Sequence, residues 1–432
     1  MIRVVFLFTA LLAFSTATKA ADLDTLEKKV DILTEEIERL KLGSEIEPAD
    51  LSGEFGFAPA AAKVYKKGAK KVSIGGYGEM VYKNYQPKNQ NGAGAGKRDR
   101  LDFLRAILYV GYKFNDWITF NSEIEFEHAT EGKRGEVGVE MAQIDFTPWG
   151  DTLGFRVGLL LTPMGLVNEV HEPTTFHGVE RPGTESSVLP STWRENGAGL
   201  FGRYKWFEYR SYVTNGLQAV TDGGASPAVS GFSASSGLRN GRQKGSNTYA
   251  EDFAWVSRLD VSPIDDVVAG FSLYTGEADQ NALSAPSIPL TFWDLHAKAQ
   301  YKGAELRVLY TEGKIGNVDE LNILQGKALG SNASIGSKLF GGYIEAAYDV
   351  GRFIPASEKQ YLAPFFRYER YDTQKEVPDG WTKNPSNSRT EYTLGLTYKP
   401  TAQVALKLDH MFKRNQGGTG VGQTNMGVGY IF

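Results

Sequence analysis

Few residues in this chain are spaced for catalysis. Two of its five histidines, His171 and His177, share one stretch with Glu169 and Glu172. Imidazole and carboxylate together could hold a divalent metal. The spacing argues otherwise, because there is no His-x-x-x-His helical face and Pro173 and Pro182 interrupt any helix. With no cysteine at all, a disulfide scaffold, a zinc-thiolate site and a cysteine nucleophile are excluded. A barrel-surface hydrolase would need a serine beside an outward histidine. His410 is the histidine at an outward strand position, and no serine stands near it in the chain. Gly92-Ala93-Gly94-Ala95-Gly96 lacks the Lys-Ser/Thr of a phosphate loop. The expectation is a protein without enzymatic activity, metal or cofactor.

What remains is charge arranged along a surface. The stretch 163–196 carries Glu169, Glu172, Glu180, Glu185 and Glu195 against Arg181 and Arg194, and Pro173, Pro182 and Pro190 stiffen it. It is too long for an ordinary structureless connection, and its charge suits a loop folded inward to narrow a passage. Glu169, His171, Glu172, Glu180, Arg181, Arg194 and Glu195 are the candidate constriction residues, and the acidic excess favours cations unless wall arginines such as Arg156 and Arg203 override it. A second set alternates with apolar residues and would line the wall of the passage. It comprises Arg105, Glu123, Glu125, Arg156, Arg203, Lys205, Arg210, Arg258, Lys298 and Arg307.

Such a wall needs strands. Ile118, Phe120, Ile124 and Phe126 alternate with Thr119, Asn121, Glu123, Glu125 and Glu127, and Trp293 to Tyr301 repeats the pattern. That period is a strand with one apolar and one polar face. About sixteen such segments lie between Val72 and Phe432. Short turns at 115–116, 148–151, 263–265, 302–303 and 400–401 alternate with long connections at 83–100, 163–196, 216–249, 276–290, 313–337 and 372–388. An even strand count with alternating short and long connections predicts an all-β, antiparallel transmembrane barrel over 72–432. Sixteen strands leave a water-filled interior. A mean hydropathy of −0.32 and the lack of an eighteen-residue apolar run exclude a helical membrane protein. The net charge of −4 speaks against nucleic acid as a partner. The last strand closes on Phe432, a terminal aromatic similar to the signal read by the outer-membrane barrel assembly machinery.

Residues 1–20 read as a secretory signal peptide, with Arg3 ahead of an apolar stretch and small residues before the cut after Ala20. In 21–43, Leu23, Leu26, Val30, Leu33, Ile37 and Leu40 are spaced 3, 4, 3, 4, 3, a heptad seam that requires partner helices. A homotrimer with this coil in the periplasm is expected. Residues 44–71, rich in Pro, Ala and Lys, read as a linker.

The barrel region resembles the phosphate-selective porin O and P superfamily. The matching stretches are Phe155-Arg156-Val157-Gly158 running to Pro163-Met164-Gly165, Val213-Thr214-Asn215-Gly216, and Arg258-Leu259-Asp260-Val261-Ser262-Pro263. The resemblance implies trimeric sixteen-stranded channels whose third outer loop constricts the pore and whose best-studied members bind phosphate through basic lumenal residues. Here the corresponding loop is more acidic than basic. The expected function is an outer-membrane porin of a Gram-negative cell, passing small hydrophilic solutes or ions. The alternatives are a structural tether acting through the coil and, more remotely, a barrel hydrolase.

Overall fold

The computed structural model describes residues 28–32, 52–66, 68, 71–129, 135–220, 231–282, 286–354 and 360–432. The chain divides into two units, Met1–Asp50 and Leu51–Phe432. Of the first, only a helical turn at 28–32 is described, with Val30 exposed. The expected signal peptide and the heptad positions Leu23, Leu26, Leu33, Ile37 and Leu40 lie outside the described residues.

The second unit is a closed antiparallel barrel of sixteen strands, each paired with its neighbours in sequence and the first sealed to the last. The strands are β1 (Val72–Tyr85), β2 (Arg100–Lys113), β3 (Ile118–Glu127), β4 (Val137–Phe146), β5 (Gly154–Leu161) and β6 (Arg194–Tyr204). There follow β7 (Phe207–Asn215), β8 (Phe253–Ile264), β9 (Val267–Glu277), β10 (Pro289–Tyr301) and β11 (Ala304–Ile315). The ring is completed by β12 (Lys338–Tyr348), β13 (Tyr361–Glu376), β14 (Ser388–Thr401), β15 (Val404–Asn415) and β16 (Gln423–Ile431). At the seam, Tyr77 faces Ile431 and Gly78 faces Tyr430. Beyond it the Gly76 N–H donates to the Phe432 carbonyl at 3.0 Å and the Phe432 N–H returns a bond of 2.9 Å.

Polarity is inverted relative to a water-soluble protein. Leu101, Trp255, Leu295, Leu394 and Met426 point outward and are exposed, whereas Glu123, Asp294, Arg367 and Glu369 point inward and are buried. Such a surface suits lipid outside and a polar lumen inside. At one end the hairpins are tight. Lys302 and Gly303 both have positive φ, the two-residue turn that matches strand twist. The connection 349–360 is longer than its neighbours at that end, and at the other end 128–136 and 416–422 add to the expected connections. Tyr274 and Tyr371 are buried inside, their hydroxyls bonded to the Leu217 N–H and the Glu391 carboxylate.

Residues 52–66 depart from the expected linker. This strap enters the lumen at the short-turn end and forms a 3₁₀ turn at Ala61–Tyr65. Phe55, Phe57, Ala60, Ala61 and Ala62 join the same apolar cluster as Met164, Leu189 and Trp193. Its apolar side chains have somewhere to go because the barrel interior is wide enough to admit a second segment.

Candidate functional site in the barrel lumen

The connection 162–193 lies inside the barrel and touches inward residues from β1 round to β16. Asn168 ties its two ends, donating to the carbonyls of Thr162 (2.8 Å) and Trp193 (2.9 Å) and accepting from the Trp193 N–H (2.7 Å). The stretches quoted above for the family resemblance converge here. The Arg258 guanidinium donates to the Gly165 carbonyl, and the Gly165 N–H donates to Asp294 on β10 at 3.0 Å. Gly165 has φ +73°, and a side chain there would strike Glu185. Asn215 donates to Glu195 at 2.7 Å, fixing the strand that receives the end of the loop.

The loop's charges are taken up by fixed partners. Glu169 accepts from Arg210 at 2.9 Å. Glu172 accepts the N–H groups of Ala60 (2.9 Å) and Ala61 (3.0 Å) in the strap. Burial pushes its carboxyl up to about 7 against those two donors. Glu180 bridges Lys83 on β1 and Lys413 on β15, each at 2.8 Å. Despite burial, the two ammonium groups hold it well below the usual carboxylate range. Glu185 accepts from the N–H groups of Leu166 and Val167 and from the Tyr343 hydroxyl. Arg181 donates to the His171 carbonyl at 3.4 Å. Arg194 and Glu195 stand on β6, because the strand begins at Arg194, and Arg194 pairs with Glu140 at 2.8 Å.

His171 sits between Glu123 (3.2 Å) and Glu140 (3.4 Å), its other ring nitrogen against the Asn168 carbonyl. Burial opposes its charge, but the Glu123 carboxylate and the hydrogen bonds to Glu123 and Glu140 raise its pKa to about 10. The three side chains could geometrically ligate a cation. His177 is elsewhere, stacked between Tyr361 and Phe365 and beside Glu305, and burial lowers its pKa.

Among the wall candidates, Arg105 meets Glu79 and Glu125. Arg156 pairs with Asp145 through two hydrogen bonds, between the rings of Phe57 and Phe201. Arg203 meets Glu54 and Glu208 near the short-turn rim, Arg210 also reaches Asp260, and Arg307 donates to the Thr175 carbonyl. Lys205 does not line the wall. It occupies the two-residue turn between β6 and β7 with φ +56°, one position beyond the strand, and its ammonium lies over the Tyr204 ring. His410 bonds to Thr424.

Besides a pocket of about 200 Å³ between the strap, the loop and Arg210, two cavities meet in the lumen. One, about 420 Å³, opens at the short-turn end and is lined by Arg258, Lys298, Arg307 and Lys399 against the single carboxylate Glu305. The other, about 350 Å³, is lined by Lys83, Arg105, Arg181 and Arg239 against Glu79 and Glu180. Phe176 borders both. The Lys407 ammonium lies 3.9 Å from its ring centroid and donates to its carbonyl at 2.9 Å. The sequence pattern did not single out the strap, Phe176, Glu140, Lys83 or Lys399. For the strap, the paired aromatics Phe55 and Phe57 in an otherwise small-residue segment were the available signal.

No family model matches the chain. An uncharacterized protein of Aquifex aeolicus (strain VF5) is 34% identical over 365 residues, covering 82% of this chain and 78% of that protein. The chain belongs to that protein's family. Among solved structures, this family member is similar to Salmonella typhi OmpF in complex with daunomycin (TM-score 0.54, 11% identity, 84% of this chain and 97% of that one). It is also similar to the outer-membrane channel DcaP of Acinetobacter baumannii (0.53, 10%, 84% and 97%) and to an anion-selective porin from Comamonas acidovorans (0.50, 13%, 84% and 99%). At these identities the likeness is one of fold, and the fold is that of bacterial outer-membrane porins.

Proposed function

We propose that this chain is an outer-membrane channel for small hydrophilic solutes that prefers anions, with its narrowest point at Phe176 and Lys407. The observation that carries the reading is the pair of cavities meeting at Phe176, each with four cationic side chains against one or two carboxylates. The expected cation preference assumed that the loop glutamates act on the solute. Their partners in the barrel and strap leave the basic wall to set the potential. The motif resemblance to the phosphate-selective superfamily supports the same sign of charge. On this reading the apolar band stands in outer-membrane lipid, Phe432 is presented to the assembly machinery, and residues 21–43 hold a homotrimer in the periplasm.

The test is the reversal potential of the purified protein in planar bilayers under a potassium chloride gradient. Anion preference is expected, and Lys298→Glu with Lys399→Glu should abolish or invert it. A cation-selective wild type, or a folded protein that never conducts, overturns the proposal. The effect should fade near 1 M salt, where screening acts within about 3 Å.

A further inference from the structure

We infer that residues 53–65 are a seated lumenal strap that closes off the β1–β7 side of the channel in its short-turn half and holds the constricting loop in place, an inference that rests on the channel reading. Three independent features of the wall and loop are shaped to it.

The first is space. Gly111 on β2 and Gly75 on β1 face inward with ordinary backbone angles, so the strand itself would accept a larger residue. A Cβ on Gly111 would come within 2.5 Å of the Val64 side chain, and one on Gly75 within 2.8 Å of the Ala60 carbonyl. The wall is bare where the strap lies on it.

The second is polar matching. Asn121 on β3 donates to the Ala61 carbonyl at 2.9 Å, the Tyr65 hydroxyl donates to Asp145 on β4 at 2.9 Å, and Glu54 meets Arg203 on β6 at 3.3 Å. Buried polar groups of a segment merely lodged in a pore would be left unpaired, at a cost that would expel it. Aromatic packing adds to this. Phe55 contacts Phe201 edge-on at 5.3 Å, and Phe57 stacks on Tyr65 at 5.6 Å while covering the Arg156 guanidinium.

The third is the link to the constriction. Glu172 belongs to the loop, and its carboxylate takes two strap N–H groups. Glu172 is fully buried, so withdrawal of the strap strips it of both donors. The loop and the strap therefore hold or release together. With the strap in place, passage through the short-turn half of the lumen is confined to the side bounded by Lys298, Arg307 and Lys399, while beyond Phe176 the path runs past Lys83 and Arg105.

The cysteine-free chain allows a direct test. Asn121→Cys places one thiol beneath the strap, at a position that is 1% exposed. In the full-length protein a charged, membrane-impermeant thiol reagent should label it slowly. Adding Gly111→Leu, which drives a side chain into Val64, should speed labelling about tenfold or more. Deleting 53–65 should do the same without relying on the wedge. In bilayers, both strap variants should about double single-channel conductance and raise open-channel noise, since the released half of the lumen joins the path and the loop loosens. Equal labelling with and without residues 53–65 overturns the seating. Unchanged conductance of a channel lacking them overturns the occlusion. If neither form conducts, the channel reading and the occlusion both fail, and the labelling rates alone decide the seating.

Discussion

Facing each other across one lumen are two walls built from the same alternating strands. In the short-turn half the inner face from β1 to β7 is covered by the strap, and its arginines are locked. Arg156 is held by Asp145 between two aromatic rings, and Arg210 by Glu169 and Asp260. Around β10, β11 and β14 the short-turn end is open, and Lys298 and Lys399 line a cavity. Lys399 and Lys407 donate to the carbonyls of Thr174 and Phe176 rather than to carboxylates. A tally of lumenal charge treats these walls as equal. What separates them is pairing, because a buried ion pair presents almost no net charge to a passing solute, whereas a lysine bonded to a carbonyl has no carboxylate answering it.

The strongest way to break the comparison is to remove what both walls hold. Excising 168–190 with a short Gly-Ser joint should raise unit conductance several-fold, because one inserted loop sets the resistance of a wide barrel. Unchanged conductance in a folded barrel would place the resistance elsewhere and dissolve the distinction between walls.

A smaller effect should follow pH. Around His171 stand Glu123 and Glu140 from the wall, the Tyr77 ring, the Asn168 carbonyl and Arg181. A pKa raised from 6.5 to about 10 means stabilisation that is complete below about pH 6.5 and lost as pH rises through about 10. The shift corresponds to several kcal/mol at most. Open-channel noise should therefore rise between pH 7 and 10.5, and His171→Gln should flatten that dependence. A wild-type channel equally quiet across the range would refute the role of this ion cluster.

The smallest change should come from Glu180→Gln. It leaves Lys83 and Lys413 without their shared carboxylate, so reversal potential at low salt should move a little further toward anions. Glu169→Gln, on the strap side, should leave selectivity near wild type and lower thermal stability by about 1–3 kcal/mol, through Arg210 losing one buried partner. If the two substitutions shift selectivity alike, the walls do not differ as described.

The barrel was legible because lipid and lumen impose opposite demands on adjacent residues, so period two survives in nearly every strand. Lys205 shows the limit of that reasoning, since one step past the end of β6 the alternation no longer specifies a face. The loop was legible as long, charged and inward. The fate of its charges was not, because Glu172 is answered by backbone 112 residues earlier and Glu180 by a lysine 233 residues later. The strap was hidden for a related reason. Phe55, Phe57, Val64 and Tyr65 follow neither strand nor helix spacing, and their burial is decided by the cavity that receives them.

The inward glycines have a consequence for how such a bore can change. At Gly111 the hydrogen-bond ladder places no demand on residue type, and the same holds at Gly429, where the inner face meets Pro173 of the loop. What restricts both positions is their occupant. The membrane-spanning scaffold and the contents of its interior are thus separately adjustable. One substitution on the wall can evict a strap or shift a loop while every strand pairing persists, so a lineage could pass from a narrow conduit to a broad one without ever losing its barrel.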